Sequence, residues 1–520
     1  MFKPLCGLLL SLLLGTLAHG SPLAESQPHV LETRQSCNTA SNRQCWNSNF
    51  NINTDYEANV PETGVTRQYT LTLTEHSTWR GGDGRLKYSA MLVNDWGDRI
   101  QVTVINNMRS NGYHSHFPLQ YGNGVLGPIV IKGPTSADYD IDLGPMTLTD
   151  WYYGSVFEIA HRVNNPSNPF IPNFPGSPPA ADNVLINGRN INFAGSGGSY
   201  TRKTLTRGRK HLLRLINTSL QTAFTVSLVN HNFQVVATDM VPIRPITRSH
   251  IFLGIGQRYD VIIDANQPTA NYWFNVTFSA LPCGQSDNPY PAAIFSYSGA
   301  STTALPTQQG TTPPDSRCAA PERDYVPVVT RSAPGVTSFA PSLSTSHTLN
   351  VDLTVDTAQA RVFWPVNSTP LKVNWQEPTL RYIANNTLST IPRSSNVITI
   401  PPSSGSGSGN PLAETQIREY NPTTDRGTLR GDNPPRRDTT MLPSWGWLLV
   451  AWRTGTNPGV WLFHCHVGWH VSQGLGVQVV ERLEALRDGG GGGLGDVETN
   501  CGSWGRWYEG SRWRQDDAGL

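Results

Sequence analysis

The 520-residue chain predicts an all-β protein, and three observations carry that prediction. Glycine (48) and proline (39) are abundant, and with frequent Thr, Asn and Ser they cut the chain into short segments joined by turns. Stretches such as Arg67–Thr74 and Arg99–Ile105 alternate apolar and polar residues with period two, as a half-buried strand does. Long segments with the helical period are absent. A chain of this length accommodates about three domains of ordinary size.

Taken in order, residues 1–20 read as a secretory signal peptide: Lys3, an apolar run from Leu8 to Leu17, then the small residues Ala18 and Gly20. The run is too short to anchor the chain in a membrane, and no later segment holds 18 consecutive apolar residues. Residues 21–36 read as a pro-segment ending near Arg34. A first β domain is expected over 37–142 and a second over 143–320. A third is expected over 321–501, with a tail at 502–520. Within the second, strands are expected near Lys210–Ile216, Phe224–Leu228, Phe233–Ala237, Tyr259–Ile263 and Tyr272–Phe278. The Ser/Thr/Pro/Gln-rich stretch 301–321 closes it as a linker, and Ser403–Gly409 interrupts the third domain as a flexible spacer.

Net charge is +1 with 15% charged residues, which argues against nucleic-acid or membrane-surface partners. Asn217, Asn275, Asn367 and Asn385 each head an Asn-x-Ser/Thr sequon, a glycan acceptor in a secreted chain. Of seven cysteines, Cys6 leaves with the signal peptide. Cys37 and Cys45 are close enough to pair, and Cys283 and Cys318 flank a loop-rich region as the next pair. Cys465 and Cys501 remain, and a leftover thiol is anomalous in an oxidising compartment.

The chemistry gathers at Trp461-Leu-Phe-His-Cys-His-Val-Gly-Trp-His470. The apolar runs Trp447–Trp452 and Val460–Phe463 predict buried strand. Side chains alternate across a strand, so His464 and His466 face one way and Cys465 the other. His470 lies beyond the strand, where the chain can turn back toward Cys465. A thiolate with an imidazole and a weak or absent axial ligand has the composition of a blue-copper site. Leu475, ten residues after the cysteine, would be a non-coordinating axial neighbour, which favours the cuprous form and raises the reduction potential. A structural zinc site would call for Cys-x2–4-Cys or His-x3–5-His spacing, and no second cysteine is near. A second pair, Tyr113-His-Ser-His116, puts two imidazoles on one face of another strand. Alone it reads as a hydrogen-bonded face; beside the first cluster it reads as ligands.

Together with Leu126-Gly-Pro-Ile-Val130, Gly256-Gln-Arg-Tyr-Asp260, Asn433-Pro-Pro-Arg-Arg-Asp438 and the terminal Asp517-Ala-Gly-Leu520, these motifs resemble the ascomycete laccases of the multicopper oxidase family. The resemblance runs from Cys37 to Leu520. It implies three cupredoxin-like β-barrel or sandwich domains and four copper ions. The implied activity is one-electron oxidation of phenols and aromatic amines by a secreted, monomeric glycoprotein, coupled to reduction of dioxygen to water. It further implies that Cys465 and His470 are type 1 ligands with Leu475 in the axial place, and that His114, His116, His464 and His466 serve the type 3 pair. The last four residues resemble that branch's C-terminal plug. Asp239 matches the position of a carboxylate that accepts the phenolic proton; its alternative is a surface carboxylate in a loop. Leu475, and the lack of an acidic cluster near His470, argue against ascorbate or a metal ion as the electron donor.

The chain departs from the family in two places. A His-Trp-His-Gly motif should follow Arg99–Ile105, and a His-Pro-x-His-x-His motif should precede Asn433; neither is present. The first omission also removes the cysteine that the family pairs with Cys501. By that pattern the first and third domains are truncated, the type 2 ligands are missing, and the type 1 and type 3 sites are incomplete. This predicts that the chain as written cannot hold the full copper set, has low stability and is impaired in catalysis. The alternative reading is a non-catalytic, secreted, cupredoxin-like copper-binding remnant. At the first junction Asn111-Gly112 carries the signal of a two-residue hairpin turn.

Overall fold

A computed structural model describes residues 37–520 apart from 48, 56–58, 60–72, 94–102, 105–110, 118, 171–175, 196, 280–282, 320–323, 334–346, 401–413, 417–419, 422, 445, 452–457, 490–493, 512–513 and 516. The signal peptide, the pro-segment, the Gly/Ser spacer and most of Arg67–Thr74 and Arg99–Ile105 lie outside the described residues.

Two sheets dominate the middle of the chain. The five-stranded sheet runs His250–Leu253, Phe224–Leu228, Asn271–Thr277, Ala292–Tyr297, Arg202–Leu205. The six-stranded sheet runs Val241–Arg248, Phe233–Thr238, Arg258–Asp264, Lys210–Asn217, Ile141–Trp151, Asn183–Ile186. Leu213, Leu215, Phe224, Phe233, Val261, Phe274 and Phe295 belong to one core cluster of these strands. Their alternates on the six-stranded sheet, Leu212, Val236 and Ile262, are buried too, because Ala137 and Tyr139 cover the other face. That double cover explains why Lys210–Asn217 carries apolar residues at consecutive positions, Leu212-Leu213 and Leu215-Ile216, rather than at alternate ones.

On the N-terminal side, Leu73–Arg80 and Leu86–Val93 form an antiparallel pair. Thr103–Val104, Leu126–Ile131 and Asn111–His114 form a three-stranded sheet. Asn111 and Gly112 are strand residues here, opposite Ile129 and Pro128, so the hairpin-turn reading is overturned: a partner strand 16 to 18 residues downstream claims their backbone. On the C-terminal side, Val397–Ile400, Gly476–Glu481 and Gly459–His464 form a sheet with the last at its edge. The small pairs Thr354–Asp356 with Arg361–Phe363 and Glu414–Gln416 with Trp447–Leu449 stand apart from it.

Both expected disulfides, Cys37–Cys45 and Cys283–Cys318, are formed, and Cys465 and Cys501 are free thiols. Asn217 is buried, its amide donating to the carbonyls of Thr222 and Leu253, so the folded chain cannot present that sequon. Asn367 and Asn385 are exposed.

Candidate metal centre

The strand Gly459–His464 ends at His464, paired with Gly476 of the returning strand. Cys465 and His466 follow it in irregular chain, and a four-residue helix, Gly468–Val471, carries His470. The strand alternation therefore does not extend past His464. A tight loop takes its place: the Cys465 N–H donates to the Leu475 carbonyl at 3.0 Å and the Leu475 N–H to the His470 carbonyl at 3.2 Å. The loop brings Cys465 Sγ to 3.7 Å from His470 Nδ1. Buried Leu475 lies in the same apolar cluster that Cys465 packs against. Trp364, packed against the same cluster, lies against the His470 ring, 4.1 Å between centroids.

Contacts with distant segments anchor this loop. The Gly468 N–H donates to the Leu220 carbonyl at 2.9 Å, an approach so close that a Cβ at Gly468 would lie 2.3 Å from Leu220 Cδ1. Trp469, fully buried, donates its indole N–H to Gln221 Oε1 at 2.7 Å. Tyr121 donates its hydroxyl to the His466 carbonyl at 3.1 Å.

The second histidine pair arrives from the N-terminal sheet, which ends at His114. The four imidazoles meet: His116 Nε2 lies 3.2 Å from His464 Nε2, and the His114 and His466 rings are 5.2 Å apart. They line a small cavity of about 20 Å³ with Tyr121 and Leu520. Leu520 is held there because the Ala518 N–H donates to the Ser472 carbonyl and its carbonyl accepts from Val373.

The local bonding selects tautomers. His114 Nδ1 is 2.9 Å from the Ser115 carbonyl and His464 Nδ1 2.8 Å from the Cys465 carbonyl. A carbonyl only accepts, so each Nδ1 carries the proton and each Nε2 keeps a lone pair. Burial pushes His464 and His470 down to about 4 and His466 to about 3, so all three are neutral at pH 7. Burial also pushes the Cys465 thiol up to about 11, so a metal binding there must displace a proton. His466 Nδ1 is buried without a hydrogen-bond partner among the described residues.

A thiol beside an imidazole, neutral imidazoles with lone pairs directed inward and one unsatisfied ring nitrogen suit a soft metal such as copper. The donors fit copper as pairs: among the described residues no three His, Cys, Asp or Glu side chains are arranged around one point. The other described histidines, His76, His161, His211, His231, His250 and His347, are absent from the cavity lining.

Comparison with known proteins decides the family. Residues 142–300 and 404–485 match multicopper oxidase family models. A laccase of Neurospora crassa is 39% identical, with 93% of this chain and 89% of that protein aligned. Laccase-1 of Melanocarpus albomyces is 38% identical over 98% and 97% respectively. The chain is a multicopper oxidase of the laccase type. Membership makes copper its cofactor, and phenolic compounds and dioxygen its reactants. The crystal structure of Botrytis aclada laccase superposes with a TM-score of 0.80 at 28% identity, covering 93% of this chain and all of that one. The N. crassa alignment runs over 575 positions while using 93% of 520 residues, roughly 484, so about 90 positions of the relative have no counterpart here. Neither the fold nor the relatives favour the non-catalytic alternative.

Asp239 is not a surface carboxylate. It is 1% exposed, at a left-handed φ of 50°, with Oδ2 and Oδ1 each 3.0 Å from Arg437 and with Arg258 Nη1 3.5 Å away. Sequence reading missed Trp364, Tyr121 and Gly256 as neighbours of the site.

Proposed function

We propose that this chain is a secreted, monomeric laccase-type oxidase that draws single electrons from phenols and aromatic amines, which release protons as they are oxidised, and delivers four electrons with four protons to each dioxygen, forming two waters. The convergence of His114, His116, His464 and His466 on one cavity beside the Cys465–His470 pair carries this reading. Cys465 and His470 would hold the copper that accepts the donor's electron, with Leu475 beside them. The four histidines would hold, as pairs, the copper ions at which dioxygen is reduced. Bound copper supplies one-electron redox chemistry.

The chain's own part is to keep these imidazoles neutral and oriented, to shield the thiolate in apolar packing and to join the sites through the Cys465 backbone. Asp239 lies at the position expected for a proton acceptor, but its carboxylate is engaged by two guanidinium groups, which favours a bracing role. No described helix is long and apolar enough to cross a membrane, and the disulfides suit an oxidising compartment.

Purified protein reconstituted with copper tests the reading by metal content, visible absorption and oxygen consumption with a phenol. Copper bound in the chain with phenol-dependent oxygen uptake supports it. Copper bound at Cys465 with no oxygen uptake would establish the binding remnant instead. Sequencing the transcript across Val104–Phe117 and Val397–Asp438 then shows whether segments carrying the two absent histidine motifs belong to the chain.

A further inference from the structure

We infer that Gly256, in the turn between the strands His250–Leu253 and Arg258–Asp264, is the positioning residue for His466. The inference rests on the reading of His466 as a metal ligand. A Cβ built on Gly256 would lie 2.9 Å from His466 Cδ2 and 3.0 Å from Nε2, inside the distance real methyl groups tolerate. The ring edge carrying Nε2 therefore rests against bare backbone of the middle domain.

That backbone cannot retreat. The Gly256 N–H donates to the Asn217 carbonyl at 3.1 Å, and its own carbonyl accepts from Arg258 Nη1 at 3.0 Å. The next two residues clamp the turn to the chain that follows Asn433. Gln257 Nε2 donates to the Thr439 carbonyl at 3.2 Å, and Arg258 grips both oxygens of Asp438 at 2.6 and 2.7 Å. Gln257 Oε1 also accepts the Gly254 N–H at 2.9 Å, closing the turn on itself. A methyl group at Gly256 would displace the more weakly held partner. That partner is the His466 ring, whose Nδ1 meets no hydrogen-bond partner among the described residues. The two motifs Gly256–Asp260 and Asn433–Asp438 thus form one unit that sets where an imidazole from a third segment sits.

Gly256→Ala tests this, with two matched controls. Gly256 has φ +74°, so alanine there is strained whatever the space. Gly144 (φ +74°) and Gly208 (φ +75°) have the same positive φ and nothing within 4 Å of a Cβ, so G144A and G208A carry the strain of that φ without the contact. In copper-free full-length protein, diethylpyrocarbonate modification mapped by mass spectrometry should show His466 reacting several-fold faster in G256A, with His250 unchanged. Neither control should shift it. Cuprous affinity, measured by competition with a chromophoric chelator, should fall about tenfold or more in G256A alone, the usual cost of disturbing a ligand's support.

If G256A folds poorly, the double variant G256A/H466A decides: removing the ring should restore the stability of G144A. Identical His466 reactivity in G256A and the controls, or no rescue in the double variant, overturns the inference. Unchanged copper affinity in H466A would refute the ligand reading while leaving the modification result to judge the positioning.

Discussion

Replacing Arg437 with methionine should destabilise the middle of the molecule by about 3 kcal/mol, the lower end of what breaking a buried ion pair costs. The side chain is 1% exposed. Two of its nitrogens each lie 3.0 Å from an Asp239 oxygen, a third donates to the Tyr259 hydroxyl at 2.8 Å, and the guanidinium stacks 4.7 Å over that ring. Arg258 and Asp438 form the adjoining pair, so the quartet is neutral. Burial alone would push the Asp438 carboxyl up, but Arg258 reverses this and holds it below the usual carboxylate range. Methionine has similar volume and no charge. In R437M the Asp239 carboxylate stays buried, supported by the Arg258 N–H at 3.0 Å and its side chain at 3.5 Å. That residual support places the estimate at the lower end.

Urea unfolding followed by tryptophan fluorescence would read the loss in the transition assigned to the middle sheets, since a chain of several domains need not unfold in one step. The informative comparison is D239N/R437M. Asparagine removes the stranded charge, so the double variant should be more stable than R437M by about 1 kcal/mol or more, a non-additive pair. R437M within 0.5 kcal/mol of wild type, or additive losses in the double variant, would refute the reasoning.

Further outcomes follow from the same geometry. C465S should abolish any thiolate-to-copper visible absorption while leaving the fold intact, as circular dichroism would show. Leu475→Met should lower the reduction potential in a redox titration, because a thioether there can bind copper where leucine cannot. Lys87 is fully buried, donating to the Tyr152 carbonyl at 2.7 Å, and burial pushes it from 10.5 to about 7 against the opposing pull of Asp182 and Asp150. Between these values the unfolded chain holds a proton the native chain lacks, so stability should rise with pH above 7, by up to about 1.4 kcal/mol per unit, and fall as pH drops toward 7. K87M should flatten that slope in urea titrations across pH 7–10.

The middle strands were legible because a covered sheet demands apolar residues at consecutive positions, and Lys210–Asn217 and Arg258–Asp264 supply them. The meeting of Cys465, His470 and Leu475 was legible because it is local: they lie within eleven residues, and one loop closes them. What failed was non-local. Asp239 was open to two readings, a phenolic-proton acceptor or a surface carboxylate, and its burial on Arg437 was not visible because that partner lies 198 residues away. The one available signal was two consecutive arginines in the Asn433–Asp438 motif, whose charges need partners if that motif is buried. Trp364 carries no pattern of its own, and the motif that begins at Gly256 does not say what it faces; both roles exist only once distant segments meet at His470 and His466. Asn111-Gly112 misled because a turn-prone pair joins a strand when a partner strand offers its backbone.

The uneven build of the molecule bears on function. The middle sheets bury Phe224, Phe233, Phe274 and Phe295 completely. The strand that delivers His464, by contrast, pairs among the described residues with Gly476–Glu481 alone, and exposes Trp461, Leu462 and Phe463 by 45%, 39% and 39%. Small sheets with little apolar cover are marginal on their own, and local opening follows such differences. Amide exchange in copper-free protein should therefore be slowest in Lys210–Asn217 and Arg258–Asp264, and about a hundredfold faster in Gly459–His464. Copper should narrow the gap, because a metal held by Cys465 with His470, or by His464 with His116, ties this strand to the helix Gly468–Val471 and to the N-terminal sheet, and ligands stabilise the state that binds them. Equal protection without copper would mean that the sheet holding Gly459–His464 is as well closed as the middle ones. Exchange in Gly459–His464 that copper leaves unchanged would mean that these side chains do not share it.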